Sequence, residues 1–83
     1  MPKASRLPAL SSNQVIKALI RCGYTQERQT GSHVLMVRVL PDGKHPIPVV
    51  HPVKRIPFGT LKSYIEKAAG AGITEEHFLS KVK

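Results

Sequence analysis

Two short chain breakers bracket the most apolar run of this sequence, and their shortness constrains the fold more than any other feature. Gly31-Ser32 stands before residues 33–40, His33-Val34-Leu35-Met36-Val37-Arg38-Val39-Leu40, and Pro41-Asp42-Gly43-Lys44 stands after them. The run is rich in Val and Leu and reads as a well-buried strand. Connections this tight join antiparallel neighbours, because a parallel return needs a crossover of about a dozen residues or more. Residues 24–29 alternate without breakers and predict a preceding strand; residues 47–50, Ile47-Pro48-Val49-Val50, predict a following one. Pro46 and Pro48 have no N–H to give to a ladder on both sides, so that last strand belongs on an edge.

Helical patterns flank this meander. Ser11 or Ser12 caps a helix running to about Arg21, in which Val15, Ile16, Leu19 and Ile20 recur at the spacing of one buried stripe, and Gly23 stops it. Pro57 stands just ahead of a second helix whose one face carries Phe58, Leu61, Tyr64, Ile65 and Ala68, with Gly70 and Gly72 at its end. Thr74 caps a short last helix, with Glu75 and Glu76 in its first turn and Phe78 and Leu79 as anchors. The expected class is α+β in the order α-β-β-β-α-α, a three-stranded antiparallel sheet packed on one face by helices. Residues 1–10 carry Pro2, Lys3, Arg6 and Pro8 without periodicity and predict a flexible N-terminal arm; residues 11–83 form the domain. A chain this short buries only about 60% of the surface its unfolded form exposes, so a large enclosed cofactor cavity is not expected.

Thirteen Lys and Arg against five Asp and Glu give a formal charge of +8. That excess suits a protein that meets phosphate backbones or an acidic partner. The lone cysteine, Cys22, has no internal disulfide partner, which favours a reducing cytosol, and its place at the end of the first helix reads as a small buried hydrophobe rather than a nucleophile. Nothing reaches the length of a membrane span and the N-terminus lacks the apolar core of a signal peptide, so a cytoplasmic protein is expected.

The Gly31-Ser32 turn delivers His33 to the start of the central strand. Histidine moves protons near neutral pH, although a histidine at a strand start is more often structural than catalytic. RNA supplies its own nucleophile, the 2′-hydroxyl. Cutting it needs a base, an acid and positive charge for the developing phosphorane, which one histidine and several cations can provide. A metal-dependent route wants convergent carboxylates or a His/Cys cluster, and the five acidic residues are scattered without ligand spacing, so neither metal nor cofactor is expected. Lys54 and Arg55 precede a helix whose first N–H groups, from Phe58 through Gly59 to Thr60, are free to bind an anion; the same residues also suit a solvated basic loop. Arg28 and Arg38 flank the histidine turn in sequence and are candidates for the same phosphate groups. His51, ahead of Pro52, either orients substrate or closes its strand, while His45 and His77 read as solvated or packing residues. Alternation does not tell which sheet face carries His33, because His33, Leu35 and Val37 compete with Val34, Met36 and Arg38.

Five segments in this order resemble the HicA family of bacterial toxins: Arg21-Cys22-Gly23-Tyr24, Arg28-Gln29-Thr30-Gly31-Ser32-His33, Pro48-Val49-Val50-His51, Ile56-Pro57-Phe58-Gly59-Thr60-Leu61, and Gly72-Ile73-Thr74 leading into Phe78-Leu79. The resemblance covers roughly residues 11–79. It departs from the usual pattern in a longer link over residues 68–72 and in Val34 after the histidine. It implies a fold like the double-stranded-RNA-binding domain, and the activity of an mRNA interferase, a metal-independent endoribonuclease that arrests translation and growth. It also implies that His33 is catalytic, with Gly31 and Ser32 as the turn that places it, and that an antitoxin of the HicB type is the cognate partner. Such a partner is expected to be acidic and to cover the face bearing His33, with an apolar contact near Val34 or Met36 if those lie on the open face. The alternative is a non-catalytic RNA-binding module of the same fold, which needs the charge but not His33.

Overall fold

The computed structural model describes residues 7–82. The elements are α1 (Ser12–Arg21), β1 (Thr25–Thr30), β2 (His33–Leu40), β3 (Gly43–Val50), α2 (Phe58–Gly70) and α3 (Glu75–Ser80), an α+β chain in the expected order. The strands form one antiparallel sheet in the order β1-β2-β3, so the proline-bearing β3 is an edge.

Ser11 is the cap of α1. Its Oγ accepts the Gln14 N–H at 3.2 Å while Gln14 Oε1 accepts the Ser11 N–H at 2.9 Å, a reciprocal pair that satisfies two otherwise orphaned donors. The helix buries Val15, Ile16, Ala18 and Leu19. Ile20, expected on the same stripe, is 50% exposed, because the helical advance carries it past the edge of the buried arc. Phe58 likewise leaves the expected stripe of α2 and stands half exposed in the first turn, whereas Leu61, Tyr64, Ile65 and Ala68 are buried. Thr74 caps α3, its Oγ1 accepting the His77 N–H at 3.0 Å.

The two-residue β2–β3 connection draws the third strand back to Gly43, ahead of its expected start at Ile47, and pairs it with β2 along its whole length, from Leu40↔Gly43 to His33↔Val50. Val34 and Met36 of β2 and Ile47 and Val49 of β3 face the helices and are almost fully buried. His33, Leu35, Val37 and Val39 therefore share the opposite face, which none of the helices among the described residues covers, although Val37 is itself buried. Val34 and Met36 are core residues, which corrects the expectation that they offer an apolar contact to a partner.

Of the expected arm, residues 1–6 lie outside the described residues. Its last residues join the domain: Leu10 is buried, its carbonyl accepts the Ile56 N–H at 2.8 Å, and Leu7 packs partly against the core. Leu7 and Leu10 have apolar surface to hide, and packing against the domain removes it from water.

Candidate active site

The turn between β1 and β2 is Gly31-Ser32, with Gly31 at φ 58° in the left-handed region. A Cβ there would meet nothing within 4 Å, so backbone conformation alone selects glycine. His33 follows as the first residue of β2. It is exposed, and its Cα partners are Thr30 on one side and Val50 on the other.

His51 sits one residue past the end of β3 and ties three parts of the fold together. Its backbone N–H donates to the Ser32 carbonyl at 2.7 Å, which holds the turn that carries His33. Its ring Nδ1 lies 2.8 Å from Ser12 Oγ, at the start of α1. That hydroxyl also accepts the Val53 N–H at 2.9 Å, and the Ser12 N–H donates to the Val53 carbonyl at 2.9 Å. The single Ser12 proton has two good destinations. It bonds Nδ1 when the ring proton is on Nε2, or turns to the Val53 carbonyl at 3.3 Å when Nδ1 itself donates. Ser12 is 1% exposed, and either arrangement leaves it satisfied.

The cations divide between the faces. Arg28, exposed on β1, pairs with Leu35 and so lies on His33's side of the sheet. Arg38 stands an odd number of residues from His33 and projects to the other side, where it lies against Gly23 and Gly72 and its Nη1 donates to the carbonyl of Ala71, the C-cap of α2. Strand alternation thus separates the two arginines expected to grip one phosphate. Lys54 and Arg55 are exposed in the segment before α2. Pro57 gives that helix no side-chain cap, which leaves the first turn at Phe58, Gly59 and Thr60 without a capping oxygen among the described residues. Tyr64 Oη accepts the Val50 N–H at 3.0 Å, which pins α2 to the end of β3 opposite His33.

Other titratable groups lie elsewhere. His45 is in β3, its Nε2 2.9 Å from Asp42 Oδ1, and that hydrogen bond holds the Asp42 carboxyl below the usual carboxylate range. His77 is exposed on α3 and lines a recess with Arg21, Cys22 and Arg38. Burial pushes the Cys22 thiol up, more than nearby Lys81 and Arg38 pull it down, so the sulfur is a neutral thiol at pH 7 and a poor nucleophile. Burial also raises the Tyr24 hydroxyl, which has no hydrogen-bond partner among the described residues. Among the described residues no three His, Cys, Asp or Glu side chains group as metal ligands do.

Sequence reading did not single out Ser12 as a partner of His51 or Tyr64 as a partner of Val50. The first pair is 39 residues apart and the second 14, and neither contact leaves a local pattern.

A family model described as the HicA toxin of bacterial toxin–antitoxin systems matches residues 12–70. That match spans α1, the whole sheet and α2, and includes the Gly31-Ser32-His33 turn, His51 and Ser12. Comparison with curated proteins gives no match.

Proposed function

The chain belongs to the HicA family of toxins of bacterial toxin–antitoxin systems, and from that premise we propose that it is an endoribonuclease that cuts mRNA in the cytoplasm without a metal, with His33 as its proton-transfer group. The observation that carries this reading is the position of His33. It stands exposed on the helix-free face of the sheet, at the mouth of a left-handed glycine turn whose carbonyl is held by His51. A base must be reachable by the substrate and held in one place, and this residue is both.

The chemistry follows from RNA. His33 takes the proton of the 2′-hydroxyl as that oxygen attacks the adjacent phosphorus, or delivers a proton to the departing 5′-oxygen. The products are a 2′,3′-cyclic phosphate and a free 5′-hydroxyl. Arg28 on the same face, with Lys54 and Arg55 near the end of β3, supplies positive charge for the phosphorane. One general acid–base group contributes about 10²–10⁴-fold, enough for a slow nuclease that arrests growth.

A toxin of this family has an antitoxin partner. We propose that the partner is an acidic protein of the HicB type that occludes the open sheet face. That face offers Leu35 and Val39 beside His33 and Arg28; Val39 is 69% exposed and Leu35 partly so, whereas Val37 between them is buried. Complementary charge would speed the encounter and the apolar strip would retain it.

RNA incubated with the purified protein in chelator separates the readings. Fragments ending in cyclic phosphate are expected. An intact but shifted RNA band would leave only the RNA-binding module.

A further inference from the structure

Beside β3 lies a recess of about 360 Å³ walled by Val50, Val53, Ile56, Pro57 and Tyr64, with Arg55 and Thr60 as its other lining residues. None of the lining residues is acidic. Val50 is the Cα partner of His33, and neighbouring strands lie about 4.8 Å apart, so the recess opens next to the candidate base.

We propose that this recess receives one nucleobase of the RNA strand whose phosphate is handled at His33, and that it sets the base preference of the toxin. The inference rests on the reading of RNA as substrate. Its volume lies in the range of small-ligand sites, and its make-up is of the same kind, apolar walls with a few polar groups. A nucleobase has that character in reverse: apolar faces and a hydrogen-bonding edge. Tyr64 Oη already accepts the Val50 N–H, which leaves its own proton free to donate. The Thr60 hydroxyl both donates and accepts, and the Arg55 guanidinium donates or lies flat on a base. Proteins that read RNA sequence do so on unstacked single-stranded bases, and a slot one strand away from the cutting group fits that need. Charge selects the same occupant. Arg55 stands exposed at the recess, with exposed Lys54 next to it in the chain and the uncapped first turn of α2 following, so a base entering here brings its phosphate against cations. An apolar side chain of a protein partner would gain nothing from that arrangement.

The test measures binding rather than cleavage, so that it stands apart from the assignment of His33. His33→Ala protein is titrated with single-stranded oligo-A, oligo-C, oligo-G and oligo-U at several salt concentrations, with and without Val53→Phe, which fills the recess. Stacking or seating a base changes affinity by about tenfold or more, and a spread of that size among the four homopolymers is expected. Val53→Phe should collapse the spread to about twofold while the salt slope, which counts phosphate contacts, stays the same. A spread that survives the filling, or the lack of any spread, overturns the proposal. If Val53→Phe does not fold, Thr60→Val carries the test: the order of the four homopolymers is expected to change, and an unchanged order and spread overturns the proposal. Failure to bind any RNA removes both this inference and the substrate reading. Base-selective binding by a protein that does not cleave removes the enzyme alone. Val53→Phe weakening the antitoxin complex while leaving RNA selectivity intact would assign the recess to the partner and overturn the nucleobase.

Discussion

At the scale of single residues, the contacts that hold the site in place join residues far apart in sequence. Ser12 serves His51 and the Val53 N–H with one oxygen, so Ser12→Ala strands a buried donor and is expected to cost about 1–3 kcal/mol in a urea melt. His51→Asn sets an amide where Nδ1 stood and should retain most of that stability, whereas His51→Ala should lose it. If the two His51 variants melt alike, the ring bond to Ser12 contributes little. Tyr24 offers the opposite case. Its hydroxyl is buried without a partner among the described residues, so Tyr24→Phe is expected to leave stability unchanged or raise it by up to about 1 kcal/mol, and a clear loss would reveal a partner for that oxygen. Cys22 should resist alkylation at pH 7 while the protein is folded, since burial keeps its sulfur protonated and covered; reaction as fast as a free thiol would contradict its place in the core.

At the scale of elements, the turns carried most of the information. Gly31-Ser32 and Pro41-Asp42 forced a meander, Ser11 and Thr74 marked helix starts through their oxygens, and Pro46 and Pro48 put β3 on an edge. The sheet face of His33 was not legible. Leu35, Val37 and Val39 are as apolar as Val34 and Met36, so alternation in β2 pointed both ways until the helices chose a side. The same ambiguity hid that Arg38 serves the C-cap of α2 on the far face while Arg28 stays with His33. The nucleobase recess was illegible for another reason: β3, the segment after it and α2 each supply part of its wall, and only packing brings them together. One element-scale consequence concerns the turn. Gly31→Ala meets no steric obstacle but must hold a left-handed backbone, so it should cost about 1–2 kcal/mol in a urea melt. It should also slow cleavage by loosening His33, and a variant as stable and as fast as the parent would show that the turn does not constrain the histidine.

At the scale of the whole molecule, charge and the open face act together. A domain of formal charge +8 binds RNA chiefly through phosphates, so affinity should fall steeply with salt. Lys54→Glu with Arg55→Glu should weaken binding to all sequences alike and flatten the slope; an unchanged slope would move the phosphate grip to Arg28 or to cations elsewhere. The antitoxin, in turn, should associate at a rate that falls with ionic strength and should protect the amides of residues 31–39 from exchange. Equal exchange with and without it, while cleavage is blocked, would rule out occlusion.

The central claim is that His33 moves the proton in metal-free RNA cleavage, and the most direct measurement is the single-turnover cleavage rate of His33→Ala in chelator, beside the parent protein, with the fold of both checked by circular dichroism. The expected result is a folded variant whose rate drops by about 10²-fold or more, with the parent's products ending in 2′,3′-cyclic phosphate. A folded variant that cuts at the parent rate would contradict it.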